Sequence, residues 1–283
     1  MTDREARPIG LNSLLLPSDF TPASDAAFAH ALKIALVGKL KLTIFHVSNP
    51  SETELPWEEY PRVRQTLVSW GLAPPEIARH EVAPRLGIRV RKVAVHGRDP
   101  FSAILSFLDK EPTDLIVLST RGERVDRWLP EPIAGPLMRH ARIMTLFVPA
   151  DGKNFVDLDS GKVNLKTILV PVDHQPAAEP ALLAAAEVSQ RIAPGPVRLV
   201  LLHVGNAAAS PEVSVPNGPR WSVERMTRQG SVVDQILEAS RSVEADLVIM
   251  RTEGRHGFLD ALRGSCSERV VSEVGCPLLA VFD

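Results

Sequence analysis

Cysteine is scarce in this chain, neither sign of charge dominates, and no apolar run is long. Cys266 and Cys276 are the only cysteines among 283 residues. That rules out a disulfide framework or a zinc knuckle and points to a reducing compartment, with the cytoplasm as the expected location. Lys and Arg number 32 against 34 Asp and Glu, a net charge of -2, so no field of one sign is built to draw in DNA, RNA or anionic lipid. No apolar stretch approaches the roughly 18 residues of a spanning helix, and the first ten residues, MTDREARPIG, have no apolar core. A soluble protein without the usual export signal is expected. Several chemical signatures are missing as well. Gly38-Lys39-Leu40 and Gly161-Lys162-Val163 lack the hydroxyl of a phosphate-binding loop. Neither G-x-S-x-G nor H-E-x-x-H occurs, and no Cys/His cluster has metal spacing. A dedicated hydrolase or metalloenzyme is disfavoured.

What the chain does contain is a repeat. Leu14-Leu15-Leu16-Pro17-Ser18-Asp19 returns as Ile168-Leu169-Val170-Pro171-Val172-Asp173. An Ala-rich amphipathic stretch follows each copy, over Ala23 to Leu36 and Ala177 to Ile192, and then an apolar run closes on His46-Val47 or His203-Val204. Next come a glycine after a β-like segment (Gly97, Gly230), an amphipathic helix, the runs Asp114 to Leu118 and Asp246 to Met250, and a last apolar run at Thr145 to Val148 or Leu278 to Phe282. Unbroken Val/Ile/Leu runs alternating with helical patterns predict a parallel sheet buried on both faces, so each half reads as a doubly wound α/β domain. Turn-formers place a linker over Ala150 to Lys166 and a boundary near residue 155, giving domains 1–155 and 156–283. The first half has a helical-looking Trp57 to Trp70 with Tyr60 between, aromatics that pack this extra element onto the sheet or the other half; the second has only the loop-like Gly205 to Pro219.

The C-terminal ends of such strands share one edge, where ligands usually sit. In the second half, strand Asp246 to Met250 runs into Arg251-Thr252-Glu253-Gly254, and nine residues later comes Gly264-Ser265-Cys266 at or within a helix. A glycine at a strand exit and a Gly-Ser pair at a helix start present backbone amides, a hydroxyl and the positive end of a helix dipole, a geometry that suits an anion. Arg251, Arg255, His256 and Arg263 cluster around this loop.

Pro-X-Asp after the first strand, His-Val after the second and G-x2-G-x9-G-[S/T] after the fourth together resemble the universal stress protein family, twice over nearly the whole chain. The resemblance implies two tandem open sheets of the adenine nucleotide alpha hydrolase-like type. Each has five parallel strands in the order 3-2-1-4-5, and the domains associate through their last strands. It also implies a site for ATP or a related adenine nucleotide. Carried onto the second half, Pro171, Val172 and Asp173 line the nucleoside pocket and Val204 meets the base through its backbone. Gly254, Gly264 and Ser265 hold phosphate, with Met250, Arg251 and Cys266 flanking them. Arg251 departs from the pattern, because it stands where the motif has its first glycine.

The first half fits less well. On the register that sets Gly122 against Gly254, Glu131-Pro132 face Gly264-Ser265, and if Gly135 is aligned instead, the hydroxyl position becomes Pro136. Asp19 and Asp173 have an alternative role as helix caps, which leads for Asp19 and is level with ribose binding for Asp173. His46 and His203 read as packed structural residues, and His174 lacks a partner at useful spacing for a general base. The expectation is a cytoplasmic stress-response protein with at most one nucleotide per chain, in the C-terminal half, carrying Mg²⁺ only with the nucleotide. At most slow ATP hydrolysis goes with it, and nucleotide occupancy signals to a protein partner. Three alternatives stand beside it: a nucleotide-free scaffold that keeps the fold, a redox or small-ligand sensor using Cys266 or the apolar seam between the domains, and a homodimer in addition to the pairing of domains within the chain.

Overall fold

A computed structural model describes residues 10–48, 60–120, 143–217, 220–252 and 266–282. Ten strands are described, and all lie in one sheet. The first half supplies β1 (Ser13–Pro17), β2 (Lys41–Ser48), β3 (Arg89–His96), β4 (Leu115–Thr120) and β5 (Met144–Pro149). The second supplies β6 (Thr167–Pro171), β7 (Val197–Val204), β8 (Trp221–Arg228), β9 (Leu247–Arg251) and β10 (Leu278–Val281). Their spatial order is β3-β2-β1-β4-β5-β10-β9-β6-β7-β8. Each half therefore has the expected order 3-2-1-4-5, and the two meet at their last strands. Every ladder within a half is parallel, whereas β5 and β10 run antiparallel, with Leu146 opposite Leu279.

Helices cover both faces. Among the described residues the α-helices are α1 (Asp25–Gly38), α2 (Val63–Ser69), α3 (Arg79–Leu86), α4 (Pro100–Leu108), α5 (Glu179–Arg191), α6 (Val232–Ser242) and α7 (Cys266–Glu273). Because side chains alternate along a strand, consecutive residues enter opposite layers. Leu14, Leu16, Ile168 and Val170 join the layer under α1 and α5, while Leu15, Ile116, Leu169 and Val248 join the layer that holds α6. Both layers run through the β5–β10 junction, by way of Leu146 with Leu279 and Phe147 with Leu278.

One carboxylate in each half organises the opposite edge of the sheet. Asp114 Oδ2 accepts from the amides of Asn12 and Ser13 at 2.8 and 2.9 Å, and Asp246 Oδ2 accepts from those of Lys166 and Thr167 at 2.7 and 2.8 Å. Each residue precedes its half's fourth strand and ties down the start of its first, satisfying amides that enter the sheet without a ladder partner.

Two sequence expectations change. The segment read as a linker is a small hairpin, with Val156 bridged to Val163 and with Phe155 and Val156 buried. His30 of α1 anchors it: Nδ1 meets the Ala26 carbonyl at 2.7 Å and Nε2 accepts from the Val156 amide at 3.3 Å. The helix sought over Trp57 to Trp70 begins at Val63, and Trp57 lies outside the described residues. A second helix, α3, follows it. Trp70 Nε1 donates to the Leu158 carbonyl at 2.9 Å, and a Cβ at Gly161 would stand 2.3 Å from the Trp70 ring, which with φ +62 makes glycine mandatory there. In the second half the corresponding stretch is irregular apart from a single 3-10 turn, Ala207–Ala209.

Candidate functional site

The site begins where two neighbouring strands separate. β6 pairs with β9 only through Ile168–Leu247 and Leu169–Val248. Beyond that point β6 stays with β7 as far as Pro171–Leu202, and β9 stays with β10 as far as Arg251–Val281. A crevice therefore opens between the C-terminal parts of β6 and β9, the point of a doubly wound sheet at which ligands bind.

Pro171 ends β6 half-buried, and Val172 is held by its amide on the Leu202 carbonyl at 2.8 Å. Asp173 is exposed; its Oδ1 accepts from the His174 amide at 2.7 Å, and the chain turns back through a bridge to Ala177 before α5 starts. The N-cap of α5 is Ala178, without a side-chain hydrogen bond. Asp173 is therefore not the helix cap. From the other wall, Arg251 at the end of β9 sends Nη1 to the Ala177 carbonyl at 2.8 Å. Met250, beside it, is buried in the α6 layer. Val204 ends β7 half-buried, and the next amide, of Gly205, donates to Arg228 at 2.8 Å. His174 Nε2 meets the Ala209 carbonyl at 3.0 Å and fastens the turn to the loop after β7.

Two buried polar atoms near this edge have no hydrogen-bond partner, Nε2 of His203 and Oγ1 of Thr252. His203 is structural through its other nitrogen, which lies 3.3 Å from the Val172 carbonyl. Its Nε2 faces Gly205, where a Cβ would approach to 3.0 Å. Buried polar groups are nearly always satisfied, so two such atoms at one strand edge are the kind of group that a bound molecule or water completes.

The structure thus brings Pro171, Val172, Asp173, Val204, Met250 and Arg251 to one edge. Gly254, Gly264 and Ser265, with Arg255, His256 and Arg263, lie outside the described residues, and Cys266 is the first residue of α7. Gly122, Glu131, Pro132, Gly135 and Pro136 of the first half also lie outside them. Among the described residues, no group of three or more His, Cys, Asp or Glu could hold a metal, and no helix is long and apolar enough to cross a membrane. Cys276 is buried beside Asp246 at the opposite edge. Burial first, and that carboxylate second, push its thiol up to about 12, so it is not a nucleophile.

The equivalent edge of the first half is filled by the chain itself. Asp19 Oδ1 accepts from the Thr21 amide at 3.1 Å, the Thr21 hydroxyl at 2.8 Å and the Ser24 hydroxyl at 2.7 Å, bonds that close the turn leading into α1, whose own N-cap is Ser24. The Phe20 ring lies on His46, 4.1 Å between centroids and 18° from parallel, and against Tyr60 at 4.4 Å. His46 Nδ1 is held by the Ser18 carbonyl at 2.8 Å. Val47 is buried in the layer on the other face of the sheet. Phe20 was not singled out in the sequence, although comparing the residues after each Pro-X-Asp, Phe20 against His174, carries the signal.

The model described as the universal stress protein family matches residues 11–149 and 217–281. Among characterised sequences, the universal stress protein E homolog of Haemophilus influenzae is 41% identical over 54 residues, 19% of this chain and 18% of the relative. A universal stress protein of Methanocaldococcus jannaschii is 36% identical over 63 residues, 22% of this chain and 37% of the relative. The chain thus matches less than two fifths of the length of either. Among solved structures, a universal stress protein from Archaeoglobus fulgidus superposes with a TM-score of 0.61 at 16% identity, covering 97% of both chains. A functionally unknown protein from Pseudomonas aeruginosa does so with 0.62 at 14%, covering 97% of this chain and 93% of its own. At these identities the likeness is one of fold.

Proposed function

The chain belongs to the universal stress protein family, and from that premise we propose that its C-terminal half binds ATP or a related adenine nucleotide in the crevice between β6 and β9. Occupancy of that crevice is the protein's signal. One contrast carries the reading. Asp19 spends its Oδ1 on three donors beside a Phe20 ring stacked on His46, whereas Asp173 stands exposed and, among the described residues, its Oδ1 takes one neighbouring amide. An acidic group left available at a strand edge accepts ribose hydroxyls more readily than one whose oxygen already takes three donors.

In this reading Asp173 holds the ribose, Pro171, Val172 and the Val204 backbone border the base, and Met250 packs behind. Arg251 faces the phosphates together with Gly254, Gly264, Ser265 and the start of α7 at Cys266. The unpartnered His203 Nε2 and Thr252 Oγ1 support a polar occupant. Mg²⁺ enters with the phosphates, since the described residues offer no acidic cluster to hold it. His174 has its Nε2 on a carbonyl, and no other described side chain at the mouth is placed to activate water, so binding with little or no hydrolysis follows.

A second reading, a fold kept for contacts with a protein partner and emptied of nucleotide, is favoured by the Arg251–Ala177 bond across the crevice. Calorimetric titration with ATP separates the two. Binding that weakens about tenfold or more in Asp173→Ala is expected, since hydrogen bonds to a charged group contribute roughly 1.5–3 kcal/mol. The absence of heat up to millimolar ATP would leave only the scaffold.

A further inference from the structure

We infer that the first half carries a separate binding site, a cavity between α2, α3 and the edge strand β3 that takes an anionic amphiphile, meaning a phosphate or carboxylate head on an apolar body. The cavity measures about 950 Å³, and five cations line it: Arg62, Arg64, Arg79, Arg89 and Lys92. No acidic residue stands among its described lining. That is unusual in a chain whose charges nearly cancel. Arg91, one residue from Lys92 on β3, pairs with Glu111 at 2.7 Å. Inside the cavity, among the described residues, Arg62 meets the amide oxygen of Gln65 at 3.4 Å and Arg64 the Ile77 carbonyl at 3.3 Å. Glu81, the carboxylate carried by α3, turns to the Ala78 amide at 2.8 Å. Lys92 Nζ sits over the Tyr60 ring at 5.2 Å, and burial first, then the charge of Arg79, lower its pKa. Like charges gathered with no counter-charge among the described lining cost energy that an anion relieves.

The apolar side of the cavity defines the rest of the ligand. Val63, Val82, Ile88 and Val90 form an aliphatic floor, with Ile88 and Val63 buried. The Tyr60 hydroxyl is already committed to the Val93 carbonyl at 2.7 Å. A nucleobase would find little to read there, and a bare inorganic anion would leave the floor unused. The second half, which lacks helices between β7 and β8, builds no counterpart among its described residues. This site is independent of the β6–β9 crevice.

The test is a fluorescence titration of the full chain with 1-anilinonaphthalene-8-sulfonate, followed by displacement with dodecyl phosphate, dodecanoate, dodecanol and pyrophosphate. Dodecyl phosphate or dodecanoate should displace the probe at least tenfold more effectively than dodecanol or pyrophosphate, and whichever amphiphile is stronger names the head group. In Arg79→Gln/Lys92→Gln, displacement should weaken at least tenfold with the thermal midpoint unchanged. Should that variant fold poorly, Arg89→Gln on the exposed rim should weaken it at least threefold. Equal displacement by dodecanol or by pyrophosphate overturns the inference, as does displacement unaffected by these substitutions. ATP that competes with the probe overturns the independence of the site.

Discussion

Arg251 on β9 and Ala177 before α5 are joined across the crevice by a hydrogen bond of 2.8 Å. The first half makes the same connection with a smaller group, Ser119 Oγ donating to the Ala23 carbonyl at 2.5 Å. Ala23 and Ala177 occupy the same place after Pro-X-Asp, so the link belongs to the repeat while the charge belongs to the second half alone. A guanidinium at a strand edge gains by meeting phosphate oxygens. Arg251→Ala is therefore expected to weaken ATP binding about tenfold while changing adenosine binding less than twofold. Calorimetry with the two ligands checks this, and equal losses for both would remove Arg251 from the phosphates.

Asp19, by contrast, closes the turn before α1. Asp19→Ala should lower stability by about 1–3 kcal/mol, the range for donors left without their acceptor, and leave ATP affinity unchanged. Urea unfolding and the same titration measure the two effects. A fall in ATP affinity would return a nucleotide to the first half.

His30 gives the fold a defined acid sensitivity. Burial, only partly offset by the Ala26 carbonyl, lowers its pKa from 6.5 to about 4. Between those values the unfolded chain binds the proton and the folded one resists it. Stability from this residue is complete above pH 6.5 and is lost as pH falls toward 4, by about 3 kcal/mol at 1.36 kcal/mol per unit. His30→Phe should cost about 1–3 kcal/mol at pH 7, because the Val156 amide loses its acceptor, and it should flatten the pH dependence over that window. Urea midpoints from pH 7.5 to 4 decide it, and an unchanged slope would assign the effect elsewhere.

Asp246 is the more costly of the paired carboxylates to remove. Besides its two amides it meets Lys153 Nζ at 2.6 Å through Oδ1, and its side chain is 5% exposed. Each substitution to Ala should cost about 1–3 kcal/mol for the amides left without an acceptor, with Asp246→Ala the larger because the half-exposed Lys153 also loses its partner. Denaturant unfolding ranks them; a reversed order would show that the Lys153 pair adds nothing.

What could be read in the chain is what depends on near neighbours. The strands at Leu14 and Ile168, the Ala-rich helices, the Pro-X-Asp and His-Val edges and the copied order of elements follow from periodicity and local residue preference. So do the edge positions of Asp173, Val204 and Arg251, because a parallel strand delivers its last residues to one side whatever else surrounds it. The tertiary structure decided matters that depend on residues far apart in sequence. Phe20 finds His46 and Tyr60 only once β2 lies beside β1, and His30 meets Val156 only when the hairpin folds back on α1. A net charge of -2 averages away the five cations that α2, α3 and β3 gather around one cavity. Asp19 and Asp173 share a motif and differ in use, because a carboxylate's role is set by the donors that the folded chain brings within about 3 Å of it.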